Sequence, residues 1–170
     1  MIILLIFILL SCNDSNQTSD NDISKKVNTT DAEAEYFPIE NSEYKTVANA
    51  RFNFWFDLPK TWKAIDKSAT GDGYFIITDN EKVDIRIYGS NKVLPDEDYY
   101  ESLTKDRGQI QDFEFRDGTK GKRIICKDIL YFIRHEEDKR ISFYIKADED
   151  WYRKNKDILT HIAKSIRPGK

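Results

Sequence analysis

Phe52-Asn53-Phe54-Trp55-Phe56-Asp57-Leu58-Pro59-Lys60-Thr61-Trp62 is the stretch that decides the fold. Phe52, Phe54, Phe56 and Leu58 recur at every second residue, the period that puts side chains on one face of a strand. Pro59 cannot donate to a ladder and ends the run, and Thr61-Trp62 follows as a turn or short edge piece. Trp55 falls on the opposite face, as expected of a sheet covered on both sides. Further strands follow. Gly71-Asp72-Gly73 reads as a turn leading into Tyr74-Phe75-Ile76-Ile77-Thr78, and Asp79-Asn80-Glu81 as a tight connection. Val83, Ile85 and Ile87 then alternate with Asp84, Arg86 and Tyr88 up to Gly89-Ser90-Asn91, so these two segments predict a hairpin.

A helix is expected next. Pro95-Asp96 mark its start, and Glu97 and Asp98 suit its positive dipole end. Tyr99, Tyr100 and Leu103 share a face, and Gly108 lies just past the end. Strands return at 112–115, 122–126 and 129–133. Glu136-Glu137-Asp138-Lys139 is an exposed turn, and Ile141, Phe143 and Ile145 alternate with polar partners. The chain closes in a helix whose apolar stripe is Trp151, Ile158, Leu159, Ile162 and Ile166. Asp148, Glu149 and Asp150 crowd its start, and Pro168 stops it. Sequential strands joined by tight turns, with two interspersed helices, predict an α+β domain: an antiparallel sheet flanked by helices.

These residues are similar to the PsbP/Mog1-like domain family. The resemblance is carried by Asn49 to Trp62 with its aromatic strand and following Trp, by Gly71-Asp72-Gly73-Tyr74-Phe75, by Ile85-Arg86-Ile87-Tyr88-Gly89-Ser90, and by the closing Ile162-Ala163-Lys164-Ser165-Ile166-Arg167-Pro168. It covers roughly 44–168 and implies an α/β/α sandwich around an antiparallel sheet. Family members include photosystem accessory proteins and a regulator of a nuclear transport GTPase. The matching motifs are structural, so the resemblance implies no binding residues.

The N-terminus is of another kind. Met1 opens the apolar run Ile2-Ile3-Leu4-Leu5-Ile6-Phe7-Ile8-Leu9-Leu10, which stops at Ser11-Cys12. Nine apolar residues span about 14 Å as a helix, half a hydrocarbon core, which suits a signal-peptide h-region rather than a transmembrane span. Leu9-Leu10-Ser11-Cys12 resembles the bacterial lipoprotein lipobox, although no Lys or Arg precedes the run and Leu10 is bulkier than usual at its position. The expectation is a signal peptide over 1–11, a lipidated Cys12, and a localisation outside the cytoplasm, at the periplasmic face or outer surface.

Residues 13–35 are rich in Asn, Asp, Ser and Thr and hold no aromatic residue, so 12–35 is expected to be a disordered tether. A tether of that length reaches about 27 Å, and the single globular domain over 36–170 has a radius of gyration of about 14 Å, so the domain would sit close above the bilayer. Residues 1–35 carry a net charge of −4 out of −3 for the chain, leaving the domain near +1. A near-neutral domain points to no nucleic-acid partner.

Lipidation would consume one of the two cysteines, so no intramolecular disulfide is expected, and Cys126 reads as an inert buried thiol. His135 stands beside Glu136 and Glu137 in the expected turn, pointing at water, and His161 reads as a helix-surface or packing residue. No catalytic, cofactor or metal motif emerges: there is no Gly-x-Ser-x-Gly, no His-Glu-x-x-His, and Gly71-Asp72-Gly73 is too isolated for a phosphate loop. The densest basic stretch, Lys120, Lys122, Arg123 and Lys127, is either an anion patch or a solubilising strand. The tyrosines and tryptophans exceed what a small core needs. The helices should cover most of them, and a minority exposed together would make a protein or glycan contact surface. The leading expectation is a lipid-anchored binding or accessory domain acting through contacts with an envelope protein. The alternatives are a small envelope hydrolase, which needs a pocket with convergent polar groups, and a ligand carrier, which needs an apolar cavity between sheet and helix.

Overall fold

The computed structural model describes residues 31–169 apart from Asn41, Asp106 and Arg107. The signal peptide, Cys12 and the tether up to residue 30 lie outside the described residues. The strands are β1 (Ala32–Glu33), β2 (Tyr36–Pro38), β3 (Tyr44–Asn49), β4 (Phe54–Pro59), β5 (Lys63–Asp66), β6 (Gly73–Ile77), β7 (Asp84–Asn91), β8 (Gln109–Glu114), β9 (Lys120–Cys126), β10 (Ile129–His135), β11 (Lys139–Lys146) and β12 (Arg167–Pro168). Helix α1 (Asp96–Thr104) follows β7 and α2 (Glu149–Ser165) follows β11.

All the strand pairs are antiparallel, but they form two sheets rather than one. The large sheet runs β1-β5-β6-β7-β11-β10-β9-β8, and the small one β12-β4-β3-β2. The aromatic strand of the opening motif therefore belongs to the small sheet. Its alternation buries Phe54, Phe56 and Leu58 against Ile85, Ile87, Phe132, Phe143 and Ile145 on the inner face of the large sheet. Helix α2 adds Trp151, Leu159, Ile162 and Ala163 to the same core. Helix α1 packs on the outer face through Tyr99, Tyr100 and Leu103, against Ile124, Ile133 and Tyr131. The two helices thus lie on opposite sides of the large sheet, an α+β sandwich.

Phe52 precedes β4 instead of lying in it, because Asn53 turns the chain with a left-handed φ of 46°. Its ring still reaches the core, over Gly89. A Cβ at Gly89 would fall 2.1 Å from Phe52 Cγ, so only glycine fits there.

Three boundaries differ from expectation. Ala32 and Glu33 pair with Asp66 and Ile65, so ordered structure begins inside the segment read as tether. Helix α1 ends at Thr104 with Lys105 in the left-handed C-cap (φ 43°), not at Gly108. Helix α2 is capped by Asp148, whose carboxylate accepts Trp151 N–H at 2.8 Å, but it ends at Ser165. Ile166 is extended and buried, and Arg167-Pro168 pair with Trp55 and Phe54 as an edge strand.

Candidate functional site

The register of the large sheet sets its outer face. Ile65 stands opposite Phe75, Phe75 opposite Arg86, and Arg86 opposite Tyr144. Tyr144 stands opposite Tyr131, Tyr131 opposite Ile124, and Ile124 opposite Ile110. The result is a single file of apolar and aromatic side chains across seven strands, on one face because paired residues share a side of the pleat. Helix α1 covers the Ile124 end. The end formed by Phe75, Arg86, Tyr144 and Tyr131 stays open as a groove of about 410 Å³, with Tyr88 beside it and Ser68 and Asp72 at the rim. Helix α1 reaches Tyr131 but leaves Phe75 and Tyr144 uncovered, so an aromatic minority is exposed together.

Arg86 sits inside this file. Its guanidinium lies 4.6 Å from the Phe75 ring centre and 5.5 Å from that of Tyr144. It is held there by Asp84, which accepts from Nε at 2.8 Å and from Nη2 at 2.6 Å. Tyr131 and Tyr144 meet edge-on at 5.3 Å. Burial pushes the phenols of Tyr88, Tyr131 and Tyr144 above their ordinary range; Asp84 adds to this at Tyr144, and neighbouring tyrosines add to it at the other two. These hydroxyls stay protonated at neutral pH. The groove therefore offers π faces, O–H donors and one fixed cation, which suits contact rather than proton transfer.

The histidines lie elsewhere. His135 ends β10 and is largely buried, contrary to the expectation that it faces water. Tyr100 O–H meets its Nε2, and its Nδ1 lies 3.3 Å from Asp96. Asp96 in turn accepts from Arg140, which is 2% exposed. Tyr100, His135 and Asp96 stand in a row, but His135 Nδ1 makes no hydrogen bond, Tyr100 is on the buried side of α1, and none of the described grooves is lined by Tyr100 or His135. The cluster ties the start of α1 to β10 and β11. His161 is the packing residue expected: its ring stacks on Tyr44 at 3.8 Å, near Arg116 and the buried Asp57.

Both imidazoles are held below their ordinary pKa, chiefly by burial. Lys92, Arg140 and Lys122 oppose Asp96 at His135, and Arg116 opposes Asp57 at His161. Their folded values lie below the unfolded one of about 6.5, so the unfolded chain binds more protons below that pH. Stability is expected to be full above about pH 6.5 and to fall as the pH drops through the folded values. Denaturation midpoints measured between neutral and mildly acidic pH check this. The double variant His135→Gln/His161→Gln should flatten the profile.

The basic stretch is divided by the strand. Lys120 and Lys122 share a face, as expected, but each meets a carboxylate across the ladder: Lys120 pairs with Glu114, and Lys122 with Asp112 at 2.6 Å. Arg123 points to the other face, toward Tyr152 of α2, and Lys127 stands in the β9–β10 turn. The four do not form one patch. The thiol of Cys126 lies 3.8 Å from the Thr104 carbonyl. Among the described residues no three His, Cys, Asp or Glu gather as a metal site, and no helix is long and apolar enough to cross a membrane.

No family model and no curated protein matches the chain. Among solved structures it is similar to the solution structure of CyanoP, the cyanobacterial PsbP of Synechocystis sp. PCC 6803. The TM-score is 0.50 at 15% identity, covering 74% of this chain and 92% of CyanoP. The likeness is one of fold, and the two-sheet, two-helix domain described here is PsbP-like.

Proposed function

We propose that the chain is a lipid-anchored, extracytoplasmic binding or accessory domain that works through protein contacts, and that the open aromatic file on the outer face makes them. The observation that carries this reading is the open row Phe75, Arg86 and Tyr144, with Tyr131 at the edge of the cover of α1. Aromatic and arginine side chains are the residues that dominate protein interfaces. Here they are fixed by sheet register and by the Asp84 ion pair, so little side-chain entropy is lost on contact. The N-terminal apolar run and the Leu9-Leu10-Ser11-Cys12 motif support the anchor.

Two measurements test the two halves of the proposal. Replacing Cys12 with Ala should abolish incorporation of labelled fatty acid and release the chain from the membrane fraction; continued membrane association would overturn the anchor. A photo-cross-linking residue at Tyr131 should capture one defined envelope protein in intact cells. The same residue at Lys156, on the exposed side of α2, should not. Equal capture from both positions would remove the aromatic face from the argument.

A further inference from the structure

A second groove lies on the other side of the large sheet. Where the ends of β9, β10 and β11 meet the first turn of α2, a cavity of about 470 Å³ opens, within the range of small-molecule sites. Its floor is apolar, built by Ile125, Leu130, Ile145 and Ala147, and Arg123 and Lys127 stand on its wall.

Arg123 is unlike its counterparts. Arg51, Arg86, Arg116, Arg134, Arg140, Arg153 and Arg167 each have a carboxylate within 4.0 Å, whereas Arg123 has none among the described residues. Its Nη2 donates to Tyr152 Oη at 3.1 Å, and Nη1 reaches Gln111 only at 3.4 Å. Its Nε is fully buried and has no partner. Nε is enclosed by protein, so the donor left to a ligand is Nη1, whose contact with Gln111 is long and exposed. The nearby acids do not pair with it. Asp128 faces Lys146 at 3.7 Å, and Asp148 is spent on the helix cap. Asp128, Asp148 and Glu149 also line the groove, so the charge that favours an anion is local to Arg123 and Lys127.

We propose that this groove binds a single-chain amphiphilic carboxylate of the fatty-acid type. The carboxylate sits on the exposed Nη1 edge of the Arg123 guanidinium. The alkyl chain lies over Ile125, Leu130, Ile145 and Ala147, and Lys127 stands at the mouth. This site is separate from the aromatic face and does not depend on it.

The test uses the full chain in its own membrane, exposed to a diazirine analogue of decanoate and irradiated. Labelling should saturate and map to the segments around Arg123 to Leu130 and Ile145 to Glu149. Excess decanoate should compete, and decanol, which lacks the charge, should not. Arg123→Gln keeps a hydrogen-bonding side chain for Tyr152 and should weaken labelling roughly tenfold. Lys127 has a left-handed φ of 55°, a conformation asparagine tolerates, so Lys127→Asn leaves the turn intact and should weaken labelling a few-fold. Unsaturable labelling, labelling outside these segments, equal competition by decanol, or labelling unchanged in Arg123→Gln would each overturn the proposal.

Discussion

Replacing Asp96 with alanine is expected to destabilise the domain by about 3–5 kcal/mol, the cost of leaving a buried charge without its partner. The charge left behind is Arg140, which is 2% exposed and lies under the start of α1. Its Nε and Nη2 donate to Asp96 Oδ1 at 3.0 and 2.6 Å, and its remaining neighbours are the Leu94 carbonyl and the Tyr99 ring. Neither carries a charge. Lys92 and His135 would also face an uncompensated cation. Glu97→Ala, one residue on in the same helical turn and exposed, is the matched control and should change stability by no more than about 0.5 kcal/mol. Chemical denaturation of both variants measures the difference. A loss at Asp96 no larger than at Glu97 would show that Arg140 finds water or another acceptor and that α1 is held by its apolar face alone.

Acid should produce the same release without mutation. Burial alone would raise the Asp96 carboxyl, but the Arg140 hydrogen bond, His135 and Lys92 together hold it below the ordinary range of about 3.9. A depressed folded value contributes stability above the unfolded pKa, and that stability is lost as the pH falls through the folded one. Asp117, held down by Arg134, acts in the same direction. Acid unfolding should therefore proceed in two ranges, the histidines first and these carboxylates below them.

Local pattern announced the elements that bury a continuous side. The alternation of Phe54, Phe56 and Leu58 and that of Ile141, Phe143 and Ile145 are short-range signals buried as their period implies, and of the α2 stripe Trp151, Leu159 and Ile162 are buried and Ile158 partly so. The resemblance read from those segments pointed to the same sandwich. The unread elements were those whose signal is not local. Tyr44-Lys45-Thr46-Val47-Ala48-Asn49 mixes polar and small residues because Thr46 is buried for a hydrogen bond to Asp57, not for its apolar area. β1 and β12 are two residues long and exist only because an edge is there to pair with.

The division into two sheets was hidden for a related reason, since alternation says which face is buried but not which strand lies opposite. The aromatic file is a product of register alone. Phe75, Arg86, Tyr131 and Tyr144 are scattered over four strands, and a slip of one residue in any pair would send a side chain to the other face. Arg123 shows the same limit from the other side. In sequence it belongs with Lys120 and Lys122, and the pleat separates it from them.

If the aromatic file is the contact surface, Phe75→Ala/Tyr144→Ala should lower affinity for the partner captured at Tyr131 by a large factor at little cost to the fold. Central aromatic residues of an interface contribute about 2 kcal/mol or more each on truncation, so a loss of roughly thirtyfold per ring, and of several hundredfold for the pair where the two add, is expected. Both side chains are half-buried and lie beyond the cover of α1, outside the cluster that holds it. Their loss removes partial contacts and the two rings flanking Arg86, for which a stability change near 1 kcal/mol is the usual magnitude. The two readouts separate binding from structure: titration of the partner against denaturation of the free domain. Arg86→Lys adds a third. Lysine keeps the charge but loses the planar stack and the bidentate hold on Asp84, so it should weaken the contact by less than the double alanine if the rings themselves are the anchor. If Arg86→Lys costs as much as removing both rings, the file acts by presenting a fixed guanidinium. The partner would then be sought by a carboxylate on its surface instead of an apolar patch.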